Sequence, residues 1–243
     1  MKISNKTILI TGANRGLGRA LLDEALRLGA KRVYAGTRSG TLQSASERMT
    51  PLRLDVTNST QIRGALDKVE SLDILINNAG VDLRGDLSDR AGIERHLAVN
   101  FFGTLGVTQT FLPLLAQSRG AIVNVLSLAA LASVPFSPAY SISKAAAFSL
   151  TQSLRALWAG RGVNVHAIFA GPVETDMTRD LEIPKTSPES VAQAIFDGLE
   201  KDEEDIFPDP MSASIADSWR SGAAKTLEQQ FRAFVPQSVM KVA

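Results

Sequence analysis

The sequence predicts an α/β fold: one doubly wound parallel sheet with helices on both faces, in a single domain over residues 1–243. Short runs rich in β-branched residues alternate with longer stretches of helical periodicity, as in parallel sheets built from strand–helix–strand units. The short runs are almost continuously apolar, which is typical of strands covered on both faces. No linker, repeat or low-complexity tract interrupts the alternation, so one domain is favoured over two.

Six strands are predicted from the short β-branched runs. They lie at 7–11, 32–36, 52–56, 72–77, 121–127 and 163–170. The first helix is indicated by Leu17, Leu21, Ala25 and Leu28, which recur with a period of about 3.6 residues. Further helices are predicted at roughly 59–70, 89–118, 139–159 and 187–200.

The C-terminal tail, 211–243, differs from the rest of the chain because it has no strand partner. It has helical character from Leu227 to Phe234 and carries Trp219. We expect this tail to cover the substrate pocket or a subunit interface.

Composition excludes several classes of protein. The formal net charge is +1, with acids and bases interspersed, unlike the basic stripe of a nucleic-acid-binding protein. No unbroken apolar run reaches the about 18 residues of a membrane span, and the N-terminus has no signal-peptide cleavage site. The chain has no cysteine and two histidines, His96 and His166, to which we assign structural roles. We therefore expect a cytoplasmic protein that binds no metal, membrane or nucleic acid.

A glycine-rich turn, TGANRGLG at 11–18, joins the first strand to the first helix. Gly12, Gly16 and Gly18 allow a tight turn and a close approach to a pyrophosphate, which the helix N-terminus attracts. The spacing G-x-x-x-G-x-G differs from the commoner G-x-G-x-x-G, and a glycine turn also serves helix–strand packing. Its position in the first strand–helix unit nevertheless favours dinucleotide binding.

The end of the second strand indicates which dinucleotide is bound. Sites for NAD place an acidic residue there, about 20 residues after the glycines, to hold the ribose hydroxyls. No acid occurs between Glu24 and Glu47. The residues available instead are Thr37, Arg38 and Ser39. The guanidinium groups of Arg38 and Arg15 can bind a 2′-phosphate, which favours NADPH/NADP+; the alternative is that both are solvated surface residues.

Asp55 offers a further polar contact at the end of the third predicted strand. Its carboxylate could accept a hydrogen bond from the adenine amino group. The alternative is a helix N-cap, a position that also favours aspartate, although Asn58 or Ser59 is better placed for it.

Tyr140 and Lys144 lie four positions apart on a predicted helix, and therefore on one face of it. They are either a packed ring and a solvated amine, or a proton donor and the cation that adjusts its pKa. A free tyrosine titrates near ~10, and a cation within a few ångströms lowers that pKa by ~1–3 units. Such a shift moves the tyrosine towards the range in which general acid–base catalysis is most effective.

Taken together, the motifs resemble those of the shorter, single-domain branch of the short-chain dehydrogenase/reductase family, over most of residues 5–208. They are TGANRGLG at 11–18, NNAG at 77–80, Asn100, Ser127, Tyr140-Ser-Ile-Ser-Lys144 and AGPVET at 170–175. The resemblance implies a Rossmann-type sheet and a carbonyl reductase or alcohol dehydrogenase that transfers a hydride between NADPH and a carbonyl or alcohol substrate.

The resemblance also implies a role for each matching residue. Tyr140 would be the general acid in reduction and the base in oxidation, while Lys144 would hold the nicotinamide ribose and lower the pKa of the tyrosine. Ser127 would orient the substrate oxygen, and Asn100 would hold a water that links Lys144 to solvent. The implied cofactor-binding residues are Gly12, Asn14, Arg15, Gly16, Leu17, Gly18, Thr37, Arg38, Asp55, Val56, Asn77, Ala79, Gly80, Tyr140, Lys144, Gly171, Val173 and Thr175.

The substrate pocket is expected to be apolar and to lack an anchor for a charged substrate. Its expected lining is Leu128, Val134, Phe136, Met177 and Leu181, with Trp219 or Phe231 from the tail. Ala170 replaces the family's usual proline, and the segment from Asp176 to Thr186 is short for a substrate lid. These departures concern the geometry of the loops and leave the chemistry in place.

Three other interpretations are less well supported. A regulator that binds NADPH without turnover usually lacks the tyrosine or the lysine. Halohydrin dehalogenases resemble the family but carry arginine in place of the lysine and lack the glycine turn. The longer branch, with its epimerases and dehydratases, usually needs a larger C-terminal domain than this chain has.

A homodimer or homotetramer is expected from the second face of the helix that carries Tyr140. Its small residues Ala146, Ser149 and Ser153 permit close approach of a second helix, and related proteins commonly pair this helix across a two-fold axis, as in most homo-oligomers. The alternative is that this face packs against the chain's own sheet.

Overall fold

The computed structural model describes residues 1–42 and 46–235. In these ranges seven parallel strands form one sheet in the order β3-β2-β1-β4-β5-β6-β7. The strands are β1 Thr7–Thr11, β2 Arg32–Thr37, β3 Met49–Arg53, β4 Ile74–Asn77, β5 Ala121–Val125, β6 Asn164–Ile168 and β7 Asp205–Ile206. The predicted α/β fold with a doubly wound parallel sheet is confirmed.

Helices cover both faces of the sheet. They are α1 Gly16–Arg27, α2 Ser59–Leu66, α3 Arg90–Leu97, α4 Thr104–Ser118, α5 Pro138–Trp158, α6 Pro188–Glu200, α7 Pro210–Ala213, α8 Ala216–Arg220 and α9 Ala223–Phe231. A π-helical segment, Ala98–Gly103, joins α3 to α4. Among the described residues, the stretch Arg90–Ser118 is long and apolar enough to cross a membrane by length and composition. Core helices of soluble proteins pass the same test, and Phe111 and Leu115 of this stretch are fully buried.

The strand order changes direction between β1 and β4, which are neighbours in the sheet. The chain first adds strands on one side of β1 and then continues on the other side from β4. A crevice therefore opens at the carboxyl ends of these two strands, the usual ligand position in open α/β sheets.

Two apolar layers hold the helices against the sheet. One lies under α1 and α6 and includes Leu21 and Phe196, and the other lies under α2 and α4 and includes Phe111. A smaller cluster under α5 joins Phe148 and Phe169 to Trp219 of the tail. The carboxyl ends of the strands are thereby held in fixed positions by a packed interior.

Two strand predictions needed correction. The third strand was expected at 52–56 but runs over Met49–Arg53, where it pairs with β2. Leu54 and Val56 beyond it are buried in the α2–α4 layer, so their apolarity reflects side-chain packing, although the Leu54 N–H still donates to the Thr37 carbonyl at 2.8 Å. Asp55 consequently lies in the loop after β3 instead of closing the strand. The seventh strand, β7, has two residues and too little pattern to be predicted.

The described part of the tail is fixed to α5 and β7 by a partly buried ionic cluster, which we call the tail cluster. Its members are Arg155 of α5, Glu204, Asp205, Lys225, Glu228 and Arg232. Arg155 Nη2 lies 2.6 Å from Asp205 Oδ1, and Arg155 Nη1 lies 2.9 Å from Glu228 Oε1. Lys225 Nζ lies 2.7 Å from Asp205 Oδ2. The tail therefore packs against the far end of the helix that carries Tyr140.

Candidate active site

A cavity of about 540 Å³ lies at the carboxyl ends of the strands, in the crevice between β1 and β4. Most of the predicted site residues line it, and they come from seven separate segments of the chain. They are Gly12, Asn14, Arg15, Gly16, Leu17, Gly18, Thr37, Arg38, Asp55, Val56, Ala79, Gly80, Ser127, Tyr140, Lys144, Gly171, Val173 and Thr175. Asn77 and Asn100 are not among the lining residues.

The glycine turn forms one wall of the cavity and leads directly into α1. Gly16 has a φ of +53°, in the left-handed region that favours glycine. A Cβ on Gly18 would lie 2.1 Å from the carbonyl oxygen of Gly12, so no other residue fits there without moving the backbone. The glycines therefore let the backbone approach closely beside the N-terminus of α1, an arrangement that suits a pyrophosphate.

At the end of β2, Thr37 and Arg38 take different positions. Thr37 is buried, and its hydroxyl accepts a hydrogen bond from the Gly40 N–H at 2.9 Å. Arg38 is exposed at the rim of the cavity, and no described residue forms an ion pair with it. Arg15, by contrast, places Nη1 2.9 Å from Asp176 Oδ2. Arg38 is therefore the better placed of the two arginines to bind a phosphate.

The two roles considered for Asp55, a cavity contact and a helix N-cap, fall to two different residues, Asp55 and Asn58. The Asp55 carboxylate accepts hydrogen bonds from the N–H and hydroxyl of Thr57, at 2.9 and 2.7 Å, and lines the cavity. Asn58 caps α2 by accepting the Gln61 N–H at 3.0 Å. The helix-cap role therefore belongs to Asn58, which leaves Asp55 at the cavity wall.

Asn77 does not face the cavity, which corrects its predicted contact with the cofactor. Its side chain is buried and donates to Thr108 Oγ1 at 3.0 Å and to Asn124 Oδ1 at 2.9 Å. It thus links β4 to α4 and β5, inside the sheet. The following residue, Asn78, lines the cavity and donates to the carbonyl oxygen of Thr11 at 2.9 Å, so it supports the glycine turn. A motif match alone does not distinguish two adjacent asparagines.

Asn100 lies in the π-helical segment, buried behind Lys144. Its amide nitrogen donates to the Val81 carbonyl at 2.9 Å and to Ser143 Oγ at 2.8 Å, and its oxygen accepts the Val81 N–H at 2.9 Å. A Cβ on Gly80 would lie 3.3 Å from the Asn100 oxygen and 3.6 Å from Lys144 Nζ. Asn100 therefore joins the loop after β4 to α5, close to the lysine. π-Helical turns frequently occur at functional sites.

Ser127, Tyr140 and Lys144 meet at the floor of the cavity. Ser127 follows β5, and its hydroxyl accepts the Ala129 N–H at 3.1 Å. Tyr140 and Lys144 are one turn apart on α5, with Lys144 Nζ 5.6 Å from the centre of the tyrosine ring. Lys144 is buried and donates to the Val125 carbonyl at 2.8 Å.

Burial dominates the titration of this pair. It raises the pKa of Tyr140 to about 12, partly opposed by hydrogen bonding to Ser127 and reinforced by the charge of Asp82. It lowers the pKa of Lys144 to about 8. The net shift of the Tyr140 pKa is upward, opposite to the expected lowering, because desolvation disfavours the charged forms of both groups and outweighs the attraction between them. Tyr140 is consequently a protonated phenol at neutral pH, as a general acid must be.

The expected substrate pocket is only partly formed by the residues assigned to it. Met177 lines the cavity and Phe136 is half exposed. Trp219 lies elsewhere, with its ring 5.7 Å from that of Phe148 and its Nε1 donating to Asp205 Oδ2 at 2.8 Å. Phe231 is 61% exposed and does not line the cavity. Both tail residues are therefore removed from the pocket.

A glycine turn at a helix N-terminus and a phenol–ammonium pair share one cavity, the arrangement expected of a dinucleotide-dependent oxidoreductase. The sequence signature described as short chain dehydrogenase matches residues 6–185. The chain belongs to the short-chain dehydrogenase family and is, at that level, a nicotinamide-dependent oxidoreductase.

Individual relatives agree with this assignment. Estradiol 17-beta-dehydrogenase 2 of Mus musculus is 33% identical over 223 residues, which span 85% of this chain and 55% of the mouse enzyme. Ketoacyl reductase HetN of Nostoc is 33% identical over 81% of this chain and 76% of its own length. A crystal structure of a short chain dehydrogenase from Burkholderia cenocepacia in complex with NADP has a TM-score of 0.87 and 33% identity, covering 97% of this chain and 100% of that one.

Proposed function

We propose that this protein is an NADPH-dependent oxidoreductase of the carbonyl reductase or alcohol dehydrogenase type, acting on a small carbonyl or alcohol compound. The observation that carries the proposal is the position of Tyr140, a protonated phenol beside Ser127 and Lys144 at the floor of the cavity that the glycine turn opens. The chain offers a proton donor and a nucleotide cradle at one place, which is what carbonyl reduction needs from a protein.

The nicotinamide, when bound, supplies the hydride to the carbonyl carbon. In this mechanism the Ser127 hydroxyl donates a hydrogen bond that orients the carbonyl oxygen. Tyr140 gives its phenolic proton to that oxygen as the hydride arrives, so the product is an alcohol and the tyrosine becomes a phenolate. The Lys144 ammonium, 5.6 Å from the ring centre, stabilises this phenolate electrostatically.

The preference for NADPH rests on the end of β2. Arg38 is exposed at the cavity rim without an ion-pair partner among the described residues, and no acidic residue stands where an NAD site needs one. The related structure from Burkholderia cenocepacia is a complex with NADP, which supports the same choice.

Turnover of NADPH with a panel of ketones and aldehydes tests the proposed function. Tyr140→Phe removes only the proton-donating oxygen, so it should abolish most turnover and leave NADPH binding nearly unchanged. Turnover is measured by the absorbance of NADPH, and NADPH binding is measured by calorimetry. A Tyr140→Phe protein that retains a substantial part of the parent activity would exclude Tyr140 as the acid.

We also propose that two copies associate through α4 and α5 and that the protein acts in the cytoplasm. Phe102, Ile142 and Leu157 are exposed apolar residues on this side of the molecule. Covering them would hold α5, and with it Tyr140, from behind. Light scattering over a dilution series tests the association, and a fully active monomer at micromolar concentration would contradict it.

A further inference from the structure

Asp209, a buried acid that the motifs do not include, connects the start of the tail to the wall of the cavity. It is 5% exposed, and its Oδ2 accepts a hydrogen bond from the Gly171 N–H at 2.7 Å. Gly171 lines the cavity, whereas Asp209 does not. A Cβ on Gly171 would lie 2.5 Å from Asp209 Oδ1, so the carboxylate occupies the space that a side chain there would need. Asp209 therefore contacts the backbone of the cavity wall from its outer side.

The Asp209 side chain replaces a backbone acceptor at the end of β6. The N–H groups of Ala167 and Phe169 donate to backbone carbonyls of the β7 segment, at 2.8 and 2.9 Å. The N–H two residues further on, that of Gly171, donates to the Asp209 carboxylate instead. A charged acceptor makes a stronger hydrogen bond than a neutral carbonyl. The path of the chain at Gly171 is therefore fixed by a side chain rather than by strand pairing.

Asp209 also caps the short helix α7, and this second role does not require the bond to Gly171. Its Oδ1 accepts the Ser212 N–H at 3.0 Å, and its Oδ2 accepts the Ser212 hydroxyl at 2.8 Å. Serine is about as good an N-cap as aspartate, but its side chain is shorter and would not reach Gly171. The two roles of Asp209 can therefore be separated by substitution.

The loop that Asp209 holds, residues 170–175, runs between the two ends of the cavity. At one end the Ala170 carbonyl accepts, at 3.0 Å, the N–H of the residue that follows Ser127. At the other end Thr175 packs against the glycine turn, where a Cβ on Gly16 would lie 3.1 Å from Thr175 Cγ2. A dinucleotide with its diphosphate at the glycine turn and its reacting ring near Ser127 must therefore pass along this loop.

We propose that Asp209 is a positioning residue for the nicotinamide end of the cofactor. By accepting the Gly171 N–H, it fixes the loop 170–175 in the conformation that receives this end. The inference rests on the proposed function. The cavity residues assigned to the adenosine end, Arg38 and Asp55, belong to other segments of the chain. Loss of the Asp209 bond should therefore affect one end of the dinucleotide and leave the other end bound as before.

Asp209→Ser tests the bond to Gly171 separately from the helix cap. Calorimetry on the full chain compares the affinity for NADP+ with that for 2′-phospho-ADP-ribose, which lacks the nicotinamide. We expect Asp209→Ser to weaken NADP+ binding by about tenfold, because a hydrogen bond to a charged group is lost, and to leave the affinity for 2′-phospho-ADP-ribose within about twofold. If the parent prefers NAD+, the pair NAD+ and ADP-ribose gives the same comparison.

Ser212→Ala is the matched control, because it weakens the same helix cap and keeps the bond between Asp209 and Gly171. It should lower stability without changing the ratio of the two affinities. If Asp209→Ser is unstable, Asp209→Asn replaces it: an amide oxygen is a weaker acceptor than a carboxylate, so the preference for NADP+ should again decrease. The parent ratio in a folded Asp209 variant, or a parent that binds neither ligand, would overturn the proposal. A parent that binds NADP+ but reduces no carbonyl compound would refute the proposed function alone, since this test needs no turnover.

Discussion

Lys144 sets the upper pH limit expected for the reaction. Burial lowers its pKa from 10.5 to about 8, whereas Tyr140 keeps its proton up to about 12. Above pH 8 the lysine becomes neutral and no longer stabilises a phenolate, so kcat/KM for reduction should fall as the pH rises through about 8. A pH profile measures this, with Lys144→Arg as the comparison, since arginine keeps its charge. If kcat/KM of Lys144→Arg fell in the same way above pH 8, Lys144 would not be the group whose titration limits the reaction.

Arg38 is expected to decide the choice between NADPH and NADH. A hydrogen bond to a charged group contributes about 1.5–3 kcal/mol, so Arg38→Asp should weaken NADPH binding by about ten- to hundredfold and improve the use of NADH. Arg32→Asp is a matched control, because Arg32 is an exposed arginine at the opposite end of the same strand. Equal catalytic efficiency of the parent protein with both cofactors would contradict this prediction.

Among single residues, those with backbone or chemical requirements could be predicted from the sequence. The glycines, Ser127, Tyr140 and Lys144 all line one cavity, because their spacing is tied to strand ends and helix turns. Asp209 could not be predicted in this way. Its bond to Gly171, 38 residues earlier in the chain, depends on the path that the chain takes after β7.

At the scale of elements, the turn between β1 and α1 leaves no room for a side chain at Gly18. Gly18→Ala would place a Cβ 2.1 Å from the Gly12 carbonyl, so the turn must move, and both stability and NADPH affinity should fall. Gly64→Ala is the matched change, in the middle of α2 with no atom within 4 Å of the new Cβ. It should raise the free energy of unfolding by about 0.5–1 kcal/mol. Denaturant unfolding and calorimetry measure both, and an unaltered NADPH affinity in Gly18→Ala would show that the turn does not hold the cofactor.

Helices were easier to predict than strands because their periodicity extends over several turns. The bounds of α5 differ by one residue at each end from the prediction of 139–159. The third strand was displaced because the apolar residues Leu54 and Val56 pack against helices, and burial alone does not reveal which backbone groups pair. The π-helical segment at Asn100 has no local sequence pattern that distinguishes it from an α-helix.

At the scale of the whole molecule, the tail cluster balances three cations with three anions. Glu228 contacts both Arg155 and Lys225, and Glu228→Gln would leave these buried cations with one partner fewer. Removing one partner of a buried pair typically costs about 3–5 kcal/mol. Glu203→Gln, which affects an exposed pair with Arg220, should cost about 0–1 kcal/mol. If denaturant unfolding showed the same loss of unfolding free energy for Glu228→Gln and Glu203→Gln, the cluster would not stabilise the fold.

The same cluster should keep the tail attached in mild acid. Hydrogen bonding to Arg232 lowers the pKa of Glu204 to about 2, and the neighbouring Arg155 and Arg232 lower that of Glu228 to about 2 despite burial. Because these folded-state values lie below the ordinary value of 4.5, the stability that they contribute is complete above pH 4.5 and is lost as the pH falls towards 2. The free energies of unfolding of the parent and of Glu228→Gln, measured as a function of pH, should therefore approach each other as the pH falls below 4.5.

The tail cluster also constrains how this chain can change over generations. Arg155 belongs to the helix that carries Tyr140 and Lys144, whereas Lys225 and Glu228 belong to a segment that takes no part in the cavity. A descendant that shortened its C-terminus would leave the Arg155 guanidinium buried with fewer anions around it, and would need a neutral residue at 155 to remain folded. We therefore expect the length of the C-terminal segment and the charge at position 155 to vary together in any lineage that remodels this surface.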